Sequence, residues 1–171
     1  IDLSSLTISS ALESMRKGNL RPLELTEACL RQIERLNPEL NAFITPTPEL
    51  AVQEAMAAES LLERRPSNLK DIALLGIPVG IKDLYDVAGV RTTAGSRFFG
   101  KILPNEDAPA VLSLKLAGAV ILGKTNTHEI ALGVTGVNPH FGTVRNPWDT
   151  TRISGGSSSG SAAAVASGMC L

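Results

Sequence analysis

The sequence predicts an α/β protein in which N-terminal helices are followed by part of a mixed β-sheet covered by helices on both faces. Three observations carry this prediction. Residues 1–70 hold 18 of the 33 charged residues and one glycine, Gly18, whereas residues 71–171 hold 15 charges and 14 glycines. Apolar residues in the first part recur at helical spacing. In the second part a helical pattern feeds the fully apolar run Ala119-Val120-Ile121-Leu122, as in a strand buried on both sides. At 171 residues and 43% hydrophobic, the chain is large enough for one domain with its own core.

Thr7 can cap a first helix that carries Ile8, Ala11, Leu12 and Met15 on one face and ends at Gly18-Asn19. A second helix starts at Pro22, presents Leu25, Cys29, Ile33 and Leu36 as its stripe, and stops before Asn37-Pro38. The third spans about residues 48–65, with Glu54, Glu59 and Glu63 on a solvated face. From Leu74 the texture changes. Leu75-Gly76-Ile77-Pro78-Val79-Gly80-Ile81 is a short strand-like run interrupted by Lys82-Asp83. A helix over about residues 108–116 precedes the second apolar run, and no internal repeat is present.

Composition excludes several functional classes. Sixteen basic against 17 acidic residues leave a net charge of −1, without the basic stripe of a nucleic-acid binder. No apolar run approaches the ~18 residues of a membrane span, and no signal-peptide pattern opens the chain. Two cysteines, Cys29 and Cys170, are too few and too widely spaced for a disulfide scaffold or zinc site, so a cytoplasmic setting is expected. Ile1 in place of Met suggests that something before it was removed or never included.

Gly118-Ala119-Val120-Ile121-Leu122-Gly123-Lys124-Thr125 satisfies the letters of a phosphate-binding loop. Its four middle residues are the best strand candidate in the chain, and Asn126-Thr127 follow instead of a helical stripe. A buried strand is therefore expected. His128-Glu129 lacks the second histidine of a zinc helix, and His140 has no partner at ligand spacing, so no metal site is expected.

Two features point to chemistry. Fourteen of the fifteen residues 154–168 are Gly, Ser or Ala. This composition suits a flexible linker, or a Gly-Ser turn that opens a small-residue helix over Ala162-Ala163-Ala164-Val165-Ala166 and aims hydroxyls and amides at one point. The preceding Asn146-Pro147-Trp148-Asp149 contains the sole tryptophan and reads as anchored. Lys82, closing an apolar strand, is either a surface lysine paired with Asp83 or a desolvated amine able to take a proton from a serine.

The residues resemble the amidase signature family. The resemblance runs through Gly76-Ile77-Pro78-Val79-Gly80-Ile81-Lys82-Asp83 and Gly123-Lys124-Thr125-Asn126, then Phe141-Gly142 and Asn146-Pro147-Trp148-Asp149. It ends in Gly155-Gly156-Ser157-Ser158-Ser159-Gly160-Ser161. Order and spacing agree over about residues 70–168, and the helical opening is similar too. The fold so implied is a truncated amidase signature fold. Residues 1–171 would be the N-terminal portion of one such domain, with 1–70 a helical lead-in and 71–171 the start of the catalytic core.

The resemblance implies an amidase that cleaves a carboxylic amide C–N bond through a Ser–cis-Ser–Lys triad and an acyl-enzyme. Lys82 falls on the base and Ser157 on the bridging serine, with the Gly156–Ser157 bond cis. Ala131, Leu132 and Gly133 match a segment lining the acyl pocket, and Ser158 is expected to bind substrate. The family's nucleophile, with its oxyanion-hole turn, lies roughly two dozen residues beyond the bridging serine, past Leu171. The chain alone is accordingly expected to be inactive and poorly soluble. No metal or organic cofactor is called for, and the partner is a small-molecule amide. No nucleic acid or membrane is expected to bind directly, and a homodimer is left open. Two other readings remain: the glutamine-hydrolysing A subunit of glutamyl-tRNA(Gln) amidotransferase, and a non-catalytic scaffold ending at Leu171. Residues 131–140 replace the Ser/Asn-rich stretch typical of the amidotransferase, and Asn138-Pro139-His140-Phe141-Gly142 looks more like the stand-alone amidases.

Overall fold

The computed structural model describes residues 2, 3, 5–64 and 72–171. Helix α1 (Ile8–Arg16) is started by Thr7, whose hydroxyl accepts from the Ser10 amide at 3.2 Å while the Ser10 hydroxyl accepts from the Thr7 amide at 3.0 Å. Ala11 and Met15 form its buried face. Helix α2 (Pro22–Leu40) buries Leu25, Cys29, Ile33 and Leu40. It runs two residues past Pro38, which the sequence placed at its end. Proline deprives the Glu34 carbonyl of an amide donor, but Glu34 and Pro38 are exposed, so water can replace that bond while Leu40 gains burial. Asn41, left-handed at φ 56°, closes the helix.

Strand β1 (Phe43–Pro46) lies in the region that reads as purely helical. The Asn37 side chain clamps its first residue, accepting from the Phe43 amide at 2.7 Å and donating to the Phe43 carbonyl at 3.1 Å. Helix α3 (Pro48–Arg64) turns Ala51, Ala55 and Ala58 inward; Arg65, its expected end, lies outside the described residues. Strand β2 (Pro78–Lys82), helix α4 (Pro109–Leu116) and strand β3 (Val120–Thr125) complete the central unit. The sheet order is β1-β3-β2, with β1 antiparallel and β2 parallel to the central β3. Every residue of β3 is buried, including Gly123-Lys124-Thr125, so the apparent phosphate loop is an interior strand.

Between β2 and β3 the register slips. Val79 pairs with Ile121 and Gly80 with Gly123, leaving Leu122 as an extra residue. Such a bulge moves every later side chain of β3 to the opposite face. Gly123 occupies the bulge at φ +143°, and a Cβ there would lie 2.4 Å from the Thr45 carbonyl oxygen. Before the bulge, Val120 and Leu122 join the main core with Ile77, Leu25 and Ala163, while Ile121 joins the second cluster with Ile81, Val87 and Val111. After it, Lys124 pairs with Ile81 and Thr125 with Lys82.

The chain then forms a 3-10 turn (Glu129–Ala131), the two-stranded hairpin β4 (Arg145–Asn146) and β5 (Asp149–Ile153), and helix α5 (Ser159–Ala166). Trp148 stands at the hairpin tip and is 87% exposed, so its ring does not anchor the segment; its amide donates to Asn146 Oδ1 at 3.0 Å and closes the tip. Helix α5 packs on β2 and β3, so the Gly/Ser-rich stretch opens a helix instead of forming a linker. Gly160 makes this contact possible, because a Cβ there would meet Asn126 backbone nitrogen at 2.4 Å and the Ala42 carbonyl oxygen at 2.2 Å. No helix among the described residues is long and apolar enough to cross a membrane.

Candidate active site

Strand alternation places Lys82 and Thr125 on the sheet face that receives α5. Thr125 Oγ1 and Ser161 Oγ, 2.7 Å apart, pin the helix to β3. The turn before α5 brings two more hydroxyls over the end of β2. Lys82 Nζ donates to Ser157 Oγ and to Ser158 Oγ, each at 2.8 Å. The Gly156–Ser157 peptide bond is cis. The Ser157 carbonyl accepts from the His128 amide at 3.0 Å and from Thr127 Oγ1 at 2.9 Å, which ties the turn to the segment leaving β3.

Lys82 is half-buried and, among the described residues, forms no ion pair with a carboxylate. Desolvation by burial holds its amine below the ordinary lysine value. Its sequence neighbour Asp83 is fully buried on the opposite face and pairs with Lys124 at 2.7 Å. An amine without a carboxylate partner is easier to deprotonate, and a neutral Lys82 has two N–H donors and one lone pair for the two serines.

Of the other residues expected at the site, Gly133 is brought against the turn that carries Ser157. Ala131 ends the 3-10 turn with φ 59°, next to Ile130 at φ 44°. Leu132 is 82% exposed and Gly133 lies against the His128 ring. A Cβ on Gly156 would touch Gly136 N at 2.8 Å and Gly133 O at 3.4 Å, so residues 133–136 lie directly against the turn that carries Ser157. Ser158, expected to face substrate, has its hydroxyl on Lys82.

Several contacts escaped the sequence reading. His140 Nε2 lies 2.8 Å from Glu129 Oε1 and ties the 3-10 turn to the segment before β4. The Ser96 hydroxyl first, and the His140 ring after it, hold the Glu129 carboxyl below its ordinary range. The Lys124–Asp83 pair was missed as well, although a lysine inside an apolar strand is the same signal that singled out Lys82. No cluster of three or more His, Cys, Asp or Glu among the described residues is arranged to hold a metal ion.

A family model described as amidase matches residues 24–171. The chain belongs to the amidase family. It is 44% identical over 166 residues to the A subunit of glutamyl-tRNA(Gln) amidotransferase from Geobacter metallireducens, covering 97% of this chain and 33% of that protein. To the corresponding Chloroflexus aggregans protein it is 45% identical over 168 residues, covering 98% and 34%. Among solved structures, the native peptide amidase of Stenotrophomonas maltophilia superposes with a TM-score of 0.89 at 36% identity, covering 99% of this chain and 35% of that one. The chain thus spans about a third of the length of the amidase-family relatives it matches.

Proposed function

We propose that the protein hydrolyses a carboxylic amide C–N bond with Lys82 as base and Ser157 as bridging serine. The observation behind this reading is the 2.8 Å contact from Lys82 Nζ to Ser157 Oγ, made by a lysine with no carboxylate partner among the described residues. The nucleophilic serine comes from the part of the protein outside residues 1–171, which form the N-terminal portion of one catalytic domain. Neutral Lys82 takes the Ser157 proton, and Ser157 takes the proton of that nucleophile as it attacks the amide carbon. The same chain of groups returns a proton to the departing amine. Water then adds to the acyl-enzyme and releases the acid. The scheme calls for no metal or organic cofactor, and Ala131, Leu132 and Gly133 are assigned to the acyl side of the site on the family resemblance. Two buried, free cysteines favour a reducing, cytoplasmic setting.

The test is ammonia or amine release by the full-length protein from a panel of carboxamides, including glutamine and peptide C-terminal amides. Turnover is expected for the full-length protein, with no turnover by its Lys82→Ala variant or by the 171-residue chain alone. Turnover retained in Lys82→Ala overturns the assignment of the base. A second reading has its own support: the curated relatives at 44% and 45% identity are A subunits of glutamyl-tRNA(Gln) amidotransferase. Glutamine as the sole effective substrate, together with co-purification of partner proteins, would favour it over a stand-alone amidase.

A further inference from the structure

Lys124 is wholly buried in β3, and its ammonium is shared among three groups. It pairs with Asp83 Oδ1 at 2.7 Å, donates to Thr92 Oγ1 at 2.8 Å and reaches the Arg91 carbonyl at 3.4 Å. The other Asp83 oxygen accepts from the Thr93 amide at 3.1 Å and from the Thr93 hydroxyl. The Asp83 backbone is held too, its amide donating to the Thr125 carbonyl at 3.1 Å and its carbonyl accepting from Ala94 at 2.9 Å. Asp83 is thus fixed through both carboxylate oxygens and both backbone groups, immediately after Lys82.

This arrangement depends on the bulge at Leu122. Without the extra residue, Lys124 would follow Val120 and Leu122 onto the main-core face, alongside Lys82. The bulge sends it to the face of Ile81 and Asp83. Two lysines on neighbouring strands therefore serve opposite faces. One reaches the serines and the other holds the adjacent carboxylate.

We propose that Lys124, through its buried ion pair with Asp83, is a positioning residue for Lys82. It locks the end of β2 from behind and occupies the carboxylate nearest in sequence, so that the Lys82 amine is aimed at Ser157 and Ser158 alone. The inference rests on the reading of Lys82 as the base. A buried pair of this kind is weak evidence for stability in itself, since an apolar replacement is often as stable. Its expected contribution is to geometry, where a small misplacement of a reacting group is costly.

The experiment compares the full-length wild-type protein with Lys124→Met, Asp83→Asn, the double variant and Lys82→Ala. The folded fraction of each is measured by thermal unfolding, and kcat and KM are expressed per folded molecule. Each single variant is expected to lose at least tenfold in kcat with KM within threefold, because binding groups are untouched. The double variant should lose about as much as the worse single one, as expected of residues acting as a unit. It leaves no buried charge alone, so it carries the test if a single variant does not fold. A merely structural role would lower the folded fraction while kcat per folded molecule stayed within threefold of wild type, and that result overturns the proposal. If Lys82→Ala keeps its turnover, the reading of the base has failed instead. If Lys82→Ala is inactive while the pair variants are normal, the positioning role alone falls.

Discussion

Lys82 Nζ lies 2.8 Å from Ser157 Oγ, although the two residues are 75 positions apart in the chain. Burial lowers the pKa of this amine from its ordinary 10.5. The consequence for activity has a definite sign. A lysine acts as base only when unprotonated, which requires a pH above its pKa, so desolvation moves the acidic limb of kcat/KM downward. The pH profile of the full-length protein should rise with an apparent pKa below 10.5. A limb at or above that value would show that Lys82 is not the desolvated base.

Ser157 and Ser158 are equidistant from the Lys82 nitrogen but should differ in kind. Removing the bridging hydroxyl breaks the proton path, and Ser157→Ala is expected to lower kcat about 10²–10⁴-fold with little change in KM. Ser158 offers the amine a second acceptor outside the proton path, so Ser158→Ala should cost less than about tenfold in kcat on the scale of one hydrogen bond. Steady-state kinetics on the two variants of the full-length protein decide this. Equal losses would place Ser158 in the path as well.

Much of the fold could be read from local signals. Thr7 and Gly18 bracket α1, Pro22 opens α2, and the small residues after Ser158 become α5. What the sequence hid depends on partners distant in the chain. Phe43-Ile44-Thr45-Pro46 is too short and too close to proline to signal a strand; it is one because β3 supplies its pairing. The bulge at Leu122 is equally invisible, since register is a property of two strands. Lys82 stood out as a charge at the end of an apolar run, and its contact with Ser157 followed from the resemblance. Lys124 carried the same local signal but matched a phosphate-loop pattern, and its partner Asp83 became evident only once the register was known.

Glycine-to-alanine substitutions should separate steric from conformational demands. At Gly160 an added Cβ would collide with backbone atoms of Ala42 and Asn126, none of which can rotate away. Gly160→Ala should therefore lose about 1–3 kcal/mol or more and shift α5 away from Lys82. Gly155, at φ +80°, has open space around its Cβ position. Gly155→Ala should cost only the left-handed backbone penalty, about 1–2 kcal/mol. Urea midpoints of the full-length variants measure the stability terms. Activity should fall further in Gly160→Ala than loss of folded protein explains, because the turn leading into that helix, which carries Ser157 and Ser158, is displaced with it.

The two cysteines, 141 positions apart, are brought into one core cluster. Burial first, and the neighbouring Cys170 after it, push the Cys29 thiol up to about 12. Burial pushes Cys170 up to about 11, against a smaller opposing effect of the Gly80 amide. Since the thiolate is the reactive form, both side chains should be inert in the native protein at pH 8. With a thiol-specific reagent in excess, modification of Cys29 and Cys170 followed by mass spectrometry should be negligible without denaturant and complete in urea. Rapid labelling of either under native conditions would mean that the packing of α2 against the residues after α5 opens readily, and with it the support beneath β2 and Lys82.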